Sequence, residues 1–121
     1  MIDDVLLRRI ATEERARLGT IEKDLAISCA LHTISDSGLG DNLVFKGGTA
    51  IKKFYHPGAR FSEDMDFTVL SMDEDEAISS LDQPFLDKQV ETISFGRVSE
   101  ERFSRAGRQI RLPFDGPPTC T

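Results

Sequence analysis

Cysteine and long hydrophobic runs are scarce in this sequence of 121 residues, and basic residues are outnumbered by acidic ones. The two cysteines, Cys29 and Cys120, are too few and too far apart for a disulfide framework or a zinc site. No apolar run approaches the length that spans a bilayer, and the chain starts with acidic residues instead of a signal peptide. We therefore expect a cytoplasmic protein that makes no membrane contact.

The charge is unevenly distributed along the chain. There are 21 acidic and 15 basic residues, and the formal net charge of −6 argues against a surface that binds nucleic acid broadly. A local basic patch is not excluded. Positive charge concentrates near the C-terminus, at Arg97, Arg102, Arg105, Arg108 and Arg111. The acidic run at residues 73–76 is typical of a solvated helix N-terminus that the helix dipole stabilises.

Length and composition predict one domain over residues 1–121, with N-terminal helices in 1–38 and a core over 43–121. The pattern of apolar residues predicts an α+β fold with helices over 3–18, 21–37, 49–55 and 73–81 and strands over 43–46 and 64–70. Alternation from residue 91 to 114 predicts an antiparallel ribbon. Thr20 should cap the second helix and Gly38 should end it, whereas Pro84 should end the last helix or start another turn.

A glycine pair follows the first predicted strand. Gly47 and Gly48 come directly after an apolar run and precede Thr49. Bare backbone N–H groups at the start of a helix favour phosphate. The alternative is a tight turn that only lets the helix pack on the strand. Thr49 fits either a helix cap or a contact to a triphosphate oxygen.

The second predicted strand carries two carboxylates, Asp64 and Asp66. Side chains alternate in a strand, so these two share one face while Met65 and Phe67 lie on the other. Like charges side by side repel, and a hard divalent cation would offset that cost. The alternative is a half-exposed strand with an acidic outer face. Ser62 fits either a turn or a phosphate contact.

A phosphate-binding turn beside a metal-binding pair is the logic of phosphoryl or nucleotidyl transfer. The combined string resembles the AbiEii/AbiGii toxin family of abortive-infection and type IV toxin–antitoxin systems. That family belongs to the nucleotidyltransferase superfamily with the DNA polymerase β-type fold, a small mixed sheet flanked by helices. The similarity rests on residues 45–49, 54–55 and 60–67. A weaker match lies at 22–24; the next residue, Leu25, stands where the family has an aromatic residue.

The resemblance implies an enzyme in which an acceptor hydroxyl attacks the α-phosphate of an NTP and releases pyrophosphate. Asp64 and Asp66 would be the catalytic carboxylates and would hold Mg²⁺ or Mn²⁺. The phosphates would lie against Gly47, Gly48, Thr49 and Ser62. The implied acceptor is RNA, tRNA in particular, and the implied regulator is an antitoxin encoded nearby. Lys23 and Asp24 are candidates to support the site from the second helix.

One expected element has no clear counterpart in the sequence. Enzymes of the superfamily generally carry a third carboxylate on a later strand, as metal ligand and general base. Asp115 precedes Gly-Pro-Pro and Glu91 sits at a strand end, so both are poor candidates, and Asp115 is the better one. We therefore expect an N-terminal fragment or a shortened member, truncated at its C-terminus. The alternative function is a non-catalytic module of the same fold that binds nucleotide or a partner protein.

Overall fold

The computed structural model describes residues 2–46, 65–70, 72–104 and 107–116, and of residues 66, 101–104 and 107–109 it describes the backbone. Within these ranges the helices are α1 (Asp4–Glu14), α2 (Leu18–Asp36) and α3 (Glu74–Phe85), with a 3₁₀ helix over Leu39–Asn42. The strands are β1 (Leu43–Lys46), β2 (Asp66–Val69), β3 (Gln89–Val90), β4 (Ile93–Phe95), β5 (Ser99–Ser104), β6 (Gly107–Arg111) and β7 (Phe114–Asp115). Helices combined with small sheets give the α+β class that the sequence predicts.

The described strands form three small antiparallel sheets. β1 pairs with β2, β4 lies between β3 and β7, and β5 pairs with β6. The alternation predicted for residues 91–114 is confirmed where Phe95 lies opposite Phe114. A separate hairpin, β5–β6, interrupts that ribbon. The described residues do not show a single mixed sheet, because every pair among them is antiparallel.

α1 begins where its sequence predicts. The Asp3 carboxylate accepts a hydrogen bond from the Leu6 N–H at 2.9 Å, which caps the first turn. The helix ends at Glu14, four residues before the predicted end at 18, because Arg15 adopts a left-handed conformation with φ of 54°. Asp4 is buried, and its carboxylate accepts a hydrogen bond from Arg8 Nε at 2.8 Å.

α2 starts at Leu18, three residues before the predicted Ile21. The prediction that Thr20 caps it is wrong, because Thr20 lies inside the first turn and the N-cap residue is Arg17, without a side-chain cap. Burial supplies the reason: Leu18 packs with the buried residues of α1, so the helix extends to include it. The predicted end is confirmed, since Gly38 adopts φ of 83° just beyond the helix.

α3 confirms one prediction and corrects another. The Asp73 carboxylate accepts a hydrogen bond from the Glu76 N–H at 2.7 Å, the cap that the spacing predicts. The helix then continues to Phe85 and includes Pro84, so the predicted end near Leu81 is wrong. Phe85 is buried in the core, and that burial offsets the hydrogen bond that proline removes.

The main core lies between α2, α3 and the strands. Its buried residues are Ala26, Cys29, Ala30, Ile34, Phe85, Ile93 and Phe95. A smaller cluster of Leu7, Ala11 and Ile21 joins α1 to the first half of α2. The segment just before α1 is bound to the β3–β4 turn, because the Thr92 hydroxyl donates to the Ile2 carbonyl. The helix predicted over 49–55 lies outside the described residues.

Candidate functional site

The β1–β2 ladder is held at its base by the end of α2. Gly38 turns the chain out of the helix, and the 3₁₀ helix then packs closely on it. A Cβ at Gly40 would lie 3.2 Å from the Ser35 Cα, so only glycine fits there without displacement. The Leu70 N–H donates to the Asn42 carbonyl at 2.7 Å, which joins the end of β2 to the start of β1. These contacts hold the start of β1 and the end of β2 in place against α2.

One face of the ladder packs on the core and the other faces solvent. Met65, Phe67 and Leu43 pack against the main core, and the rings of Phe45 and Phe67 lie 5.4 Å apart. Val44, Lys46 and Thr68 are exposed. This confirms that Met65 and Phe67 lie on the inner face, as their spacing predicts. Their burial leaves the outer face of β2 to the alternate positions of the strand.

Lys46 and Asp66 are register partners at the open end of this ladder. β1 leaves the ladder directly into Gly47, and the chain enters β2 from the side of Asp64. The antiparallel pairing therefore attaches the glycine pair and the Asp-x-Asp segment to the same end of the ribbon. The exposed ammonium group of Lys46 adds a positive charge at that end, which suits a phosphate.

Most of the predicted site residues lie outside the residues that the structure describes. Asp66 is the first residue of β2, and the backbone of that residue is described. The predictions for the remaining residues lie outside the described ranges. These residues are Gly47, Gly48, Thr49, Ser62 and Asp64. Their roles stay predictions. These rest on the sequence and on the pairing of Lys46 with Asp66, the strand residues next to the two motifs.

The two candidates for a third carboxylate lie away from the β1–β2 sheet. Asp115 is exposed in β7 and pairs with Ser94 in another sheet. Glu91 is exposed in the β3–β4 turn, with φ of 54°. Neither lies on a strand that pairs with β2. Within the described ranges, no group of three or more His, Cys, Asp or Glu side chains could hold a metal ion.

Other polar residues of α2 are explained by packing. The buried Cys29 thiol lies 3.7 Å from the Val90 carbonyl, to which it donates, so it behaves as a small core residue, as predicted. Asp24 is half-buried and lines a groove between α1 and α2 with apolar neighbours such as Leu7 and Ile10. Among the residues whose side chains are described, none from β1 or β2 lines that groove. A supporting role for Lys23 and Asp24 stays a prediction.

Comparison with known families bears directly on these motifs. The sequence model of the nucleotidyl transferase AbiEii toxin family, a type IV toxin–antitoxin system, matches residues 29–117, which is 89 of the 121 residues. The chain belongs to the AbiEii family. The match spans the glycine pair and the Asp-x-Asp segment together with β1 to β7. Membership in a type IV toxin–antitoxin family implies an antitoxin as partner. No curated protein and no solved structure matches the chain.

The limits of the AbiEii match are informative too. It begins at Cys29 in the middle of α2, so it includes neither α1 nor the weak similarity at residues 22–24. None of the helices described is long and apolar enough to cross a membrane.

The feature that sequence reasoning missed is the direct pairing of Lys46 with Asp66. The two phenylalanines gave a usable signal, because aligning Phe45 with Phe67 also aligns Lys46 with Asp66.

Proposed function

We propose that this AbiEii domain has a polymerase-β-like fold and transfers a nucleotide from Mg²⁺-NTP to a hydroxyl group of RNA. Family membership supports the nucleotidyltransferase class. The observation that carries the rest is the opposition of Lys46 and Asp66, because it attaches both motifs to one end of the β1–β2 ladder. A phosphate-binding turn and a carboxylate pair are useful together only if they are neighbours.

The donor set fits a hard divalent cation. Asp64 and Asp66 offer carboxylate oxygens, the ligands that Mg²⁺ and Mn²⁺ prefer. When bound, such a cation stabilises the charge that develops on the phosphate oxygens during transfer. By holding that cation, Asp64 and Asp66 would fix the position of the phosphates, so that the α-phosphate can be attacked in line with the departing pyrophosphate.

The glycine pair would hold the phosphate chain. The backbone N–H groups of Gly47 and Gly48 would donate to β- and γ-phosphate oxygens, since no side chain blocks their approach. The hydroxyl groups of Thr49 and Ser62 would donate to the same oxygens. Lys46 is exposed beside the pair, so its ammonium group would neutralise part of the phosphate charge. The acceptor hydroxyl, which we assign to RNA or tRNA, would release its proton to solvent water as its oxygen bonds to the α-phosphorus and the bond to pyrophosphate breaks.

Regulation follows from the same family. A cognate antitoxin is the expected antagonist of a type IV toxin. We propose that the full transfer reaction occurs in the cytoplasm, where NTPs and RNA are both present.

The test is nucleotide transfer followed with radiolabel. Each α-labelled NTP is incubated with bulk tRNA and the protein, with Mg²⁺ or with excess chelator, and label in RNA is counted. We expect Mg²⁺-dependent incorporation, slowed by about 10²- to 10⁴-fold if the chain lacks its general base. Calorimetry with Mg²⁺ and each NTP measures binding separately. Binding without any transfer would favour the non-catalytic module, and absence of both would overturn the proposal.

A further inference from the structure

A pocket of about 370 Å³ lies where the end of α3 meets the end of β4. Its lining comes from α3, from the turn after that helix, and from β4 with the two residues that follow it. The lining residues are Asp82, Leu86, Asp87, Phe95, Gly96 and Arg97. Pockets that hold small molecules typically measure about 300–1,000 Å³, so this one is large enough for a small ligand.

Backbone hydrogen bonds hold both sides of this pocket in place. The Lys88 N–H donates to the Phe85 carbonyl at 3.1 Å and closes the turn after α3. The Phe95 N–H donates to the Lys88 carbonyl at 3.0 Å, which joins that turn to β4. On the other side, the Gly96 N–H donates to the Pro113 carbonyl at 2.7 Å. The pocket is therefore formed before a ligand binds, and binding does not have to order its walls.

The apolar part of the pocket is accessible to a ligand. Leu86 is a large apolar residue that is 58% exposed, and it lies beside the ring of Phe95 in the lining. A ligand with a hydrocarbon stretch would remove this surface from water, which favours binding.

The charged groups of the pocket have both signs, yet they do not pair with each other. Asp82 and Asp87 come from α3 and the turn after it, whereas Arg97 follows β4. Among the described residues, these three side chains make neither an ion pair nor a side-chain hydrogen bond. Two carboxylates and one guanidinium leave the pocket with one net negative charge. A complementary ligand therefore carries two positive groups and one negative group.

We propose that this pocket binds a free cationic amino acid, L-arginine or L-lysine. The carboxylate of the ligand pairs with Arg97, while its α-ammonium group and its side-chain cation pair with Asp82 and Asp87. Its methylene groups lie on Leu86 and Phe95, in the way that long cationic side chains cover apolar surface. The ligand is a free amino acid because a peptide bond removes the charge of the α-ammonium group, of the carboxylate or of both. None of the lining residues belongs to the proposed nucleotide site.

The first experiment compares ligands that differ by one charged group. The isotope-labelled full chain is titrated with L-arginine, and the shifts of its amide signals are followed by NMR. Exposed ion pairs contribute little individually, so we expect a dissociation constant on the order of 1 mM. The amide signals of Leu86, Asp87 and Gly96 should shift, whereas those of α1 should not. L-lysine should bind with similar affinity.

Two comparison ligands each lack one of the required charges. Agmatine has no carboxylate, and L-leucine has no side-chain cation. Each should bind about 2- to 5-fold more weakly than L-arginine, which is the contribution of one exposed ion pair. Equal affinity for L-arginine, agmatine and L-leucine would overturn the proposal. So would the absence of saturable shifts at the pocket up to about 20 mM, twenty times the expected dissociation constant.

The second experiment matches each charge of the pocket to a charge of the ligand. Arg97→Gln should weaken L-arginine binding about 2- to 5-fold but leave agmatine binding unchanged, because agmatine has no carboxylate to pair. Asp82→Asn with Asp87→Asn should weaken the binding of both ligands. Asp87 adopts φ of 51°, a backbone conformation that asparagine also tolerates, so this variant keeps the turn. If the double variant fails to fold, Asp87→Asn alone should still weaken L-arginine binding.

Matched controls remove the same charges from α1. Arg9, Glu13 and Glu14 are exposed there, so Arg9→Gln and the pair Glu13→Gln with Glu14→Gln should both bind L-arginine like the parent. An equal loss in the control pair and in the Asp82 and Asp87 variant would overturn the proposal, because general attraction to an acidic protein would then explain binding. A loss of agmatine binding in Arg97→Gln as large as the loss of L-arginine binding would also overturn it.

Discussion

Phe85 and Phe95 meet edge to face in the main core, with ring centroids 5.0 Å apart and ring planes at 71°. Phe85 is the last residue of α3 and Phe95 the last residue of β4, so this single contact joins the helix to the central strand of the β3–β4–β7 sheet. The contact therefore holds α3 and this sheet together in the main core.

The first prediction concerns that contact. Phe85→Leu should destabilise the protein by about 1–3 kcal/mol, since it removes an aromatic pair and leaves a poorly filled site. Urea denaturation gives the free energy of unfolding. The neighbouring Leu86 is 58% exposed, so Leu86→Ala should change stability by less than about 0.5 kcal/mol. Similar losses in both variants would contradict the core described above.

The second prediction concerns two glycines with close neighbours. A Cβ at Gly116 would lie 2.4 Å from Glu22 Oε2, whereas a Cβ at Gly40 would lie 3.2 Å from the Ser35 Cα. The carboxylate is the free end of a flexible side chain and can rotate away, but the helix backbone at Ser35 cannot. Gly40→Ala should therefore cost more than Gly116→Ala, about 1–3 kcal/mol against less than about 1 kcal/mol. Thermal unfolding of the two variants measures the order, and the reverse order would contradict it.

Local signals predicted the starts of α1 and α3, but neither the start of α2 nor the end of α3. The cap at Asp73 depends on residues three apart, and the sequence contains all that is needed to predict it. The end of α3 depends on Phe85 reaching a core made by distant strands, and local proline chemistry points the other way. α2 likewise begins early because Leu18 packs against α1. Such tertiary contacts override propensity and cannot be read from a short window.

The third prediction concerns the carboxylate pair. Asp64→Asn with Asp66→Asn should abolish Mg²⁺-dependent NTP binding, because the neutral amides no longer attract the cation. The fold should persist, since the substitution relieves repulsion between like charges in the metal-free protein. Calorimetry with Mg²⁺-NTP measures the binding and circular dichroism the fold.

A matched control for the carboxylate pair removes two charges from α1. Glu13 and Glu14 are exposed there, and Glu13→Gln with Glu14→Gln should bind Mg²⁺-NTP like the parent. Parental affinity in the Asp64 and Asp66 variant would show that the metal site has been assigned to the wrong residues.

The fourth prediction concerns the glycine pair. Gly48→Val should weaken nucleotide binding at least tenfold, because the branched side chain would occupy the space that a phosphate needs beside the backbone N–H groups. Titration with a fluorescent NTP analogue measures the affinity. A Cβ at Gly19 on α2 would meet nothing within 4 Å, so Gly19→Val serves as the control. A folded Gly48→Val protein with unchanged affinity would count against the phosphate cradle.

For the candidate site, the sequence predicted the residue chemistry, and the structure added which residues of β1 and β2 lie opposite each other. The residue types at 47–49 and 64–66 already indicate phosphate and metal, because glycine turns and paired carboxylates have few other uses together. Neither motif alone contains the register of β1 with β2, in which the rings of Phe45 and Phe67 lie against each other. Register is a property of two segments packed on a third, so no single motif contains it.

The buried thiol of Cys29 makes it possible to measure how often the core opens. It lies between α2 and β3, where Cys29 is only 4% exposed. An alkylating reagent can reach it only after those elements separate, so the labelling rate of a Cys120→Ser protein reports the free energy of opening. A ligand present at about 100 times its Kd stabilises the closed state by about 2.7 kcal/mol, which slows labelling about 100-fold. The labelling rate of Cys29 therefore measures nucleotide binding without any RNA acceptor.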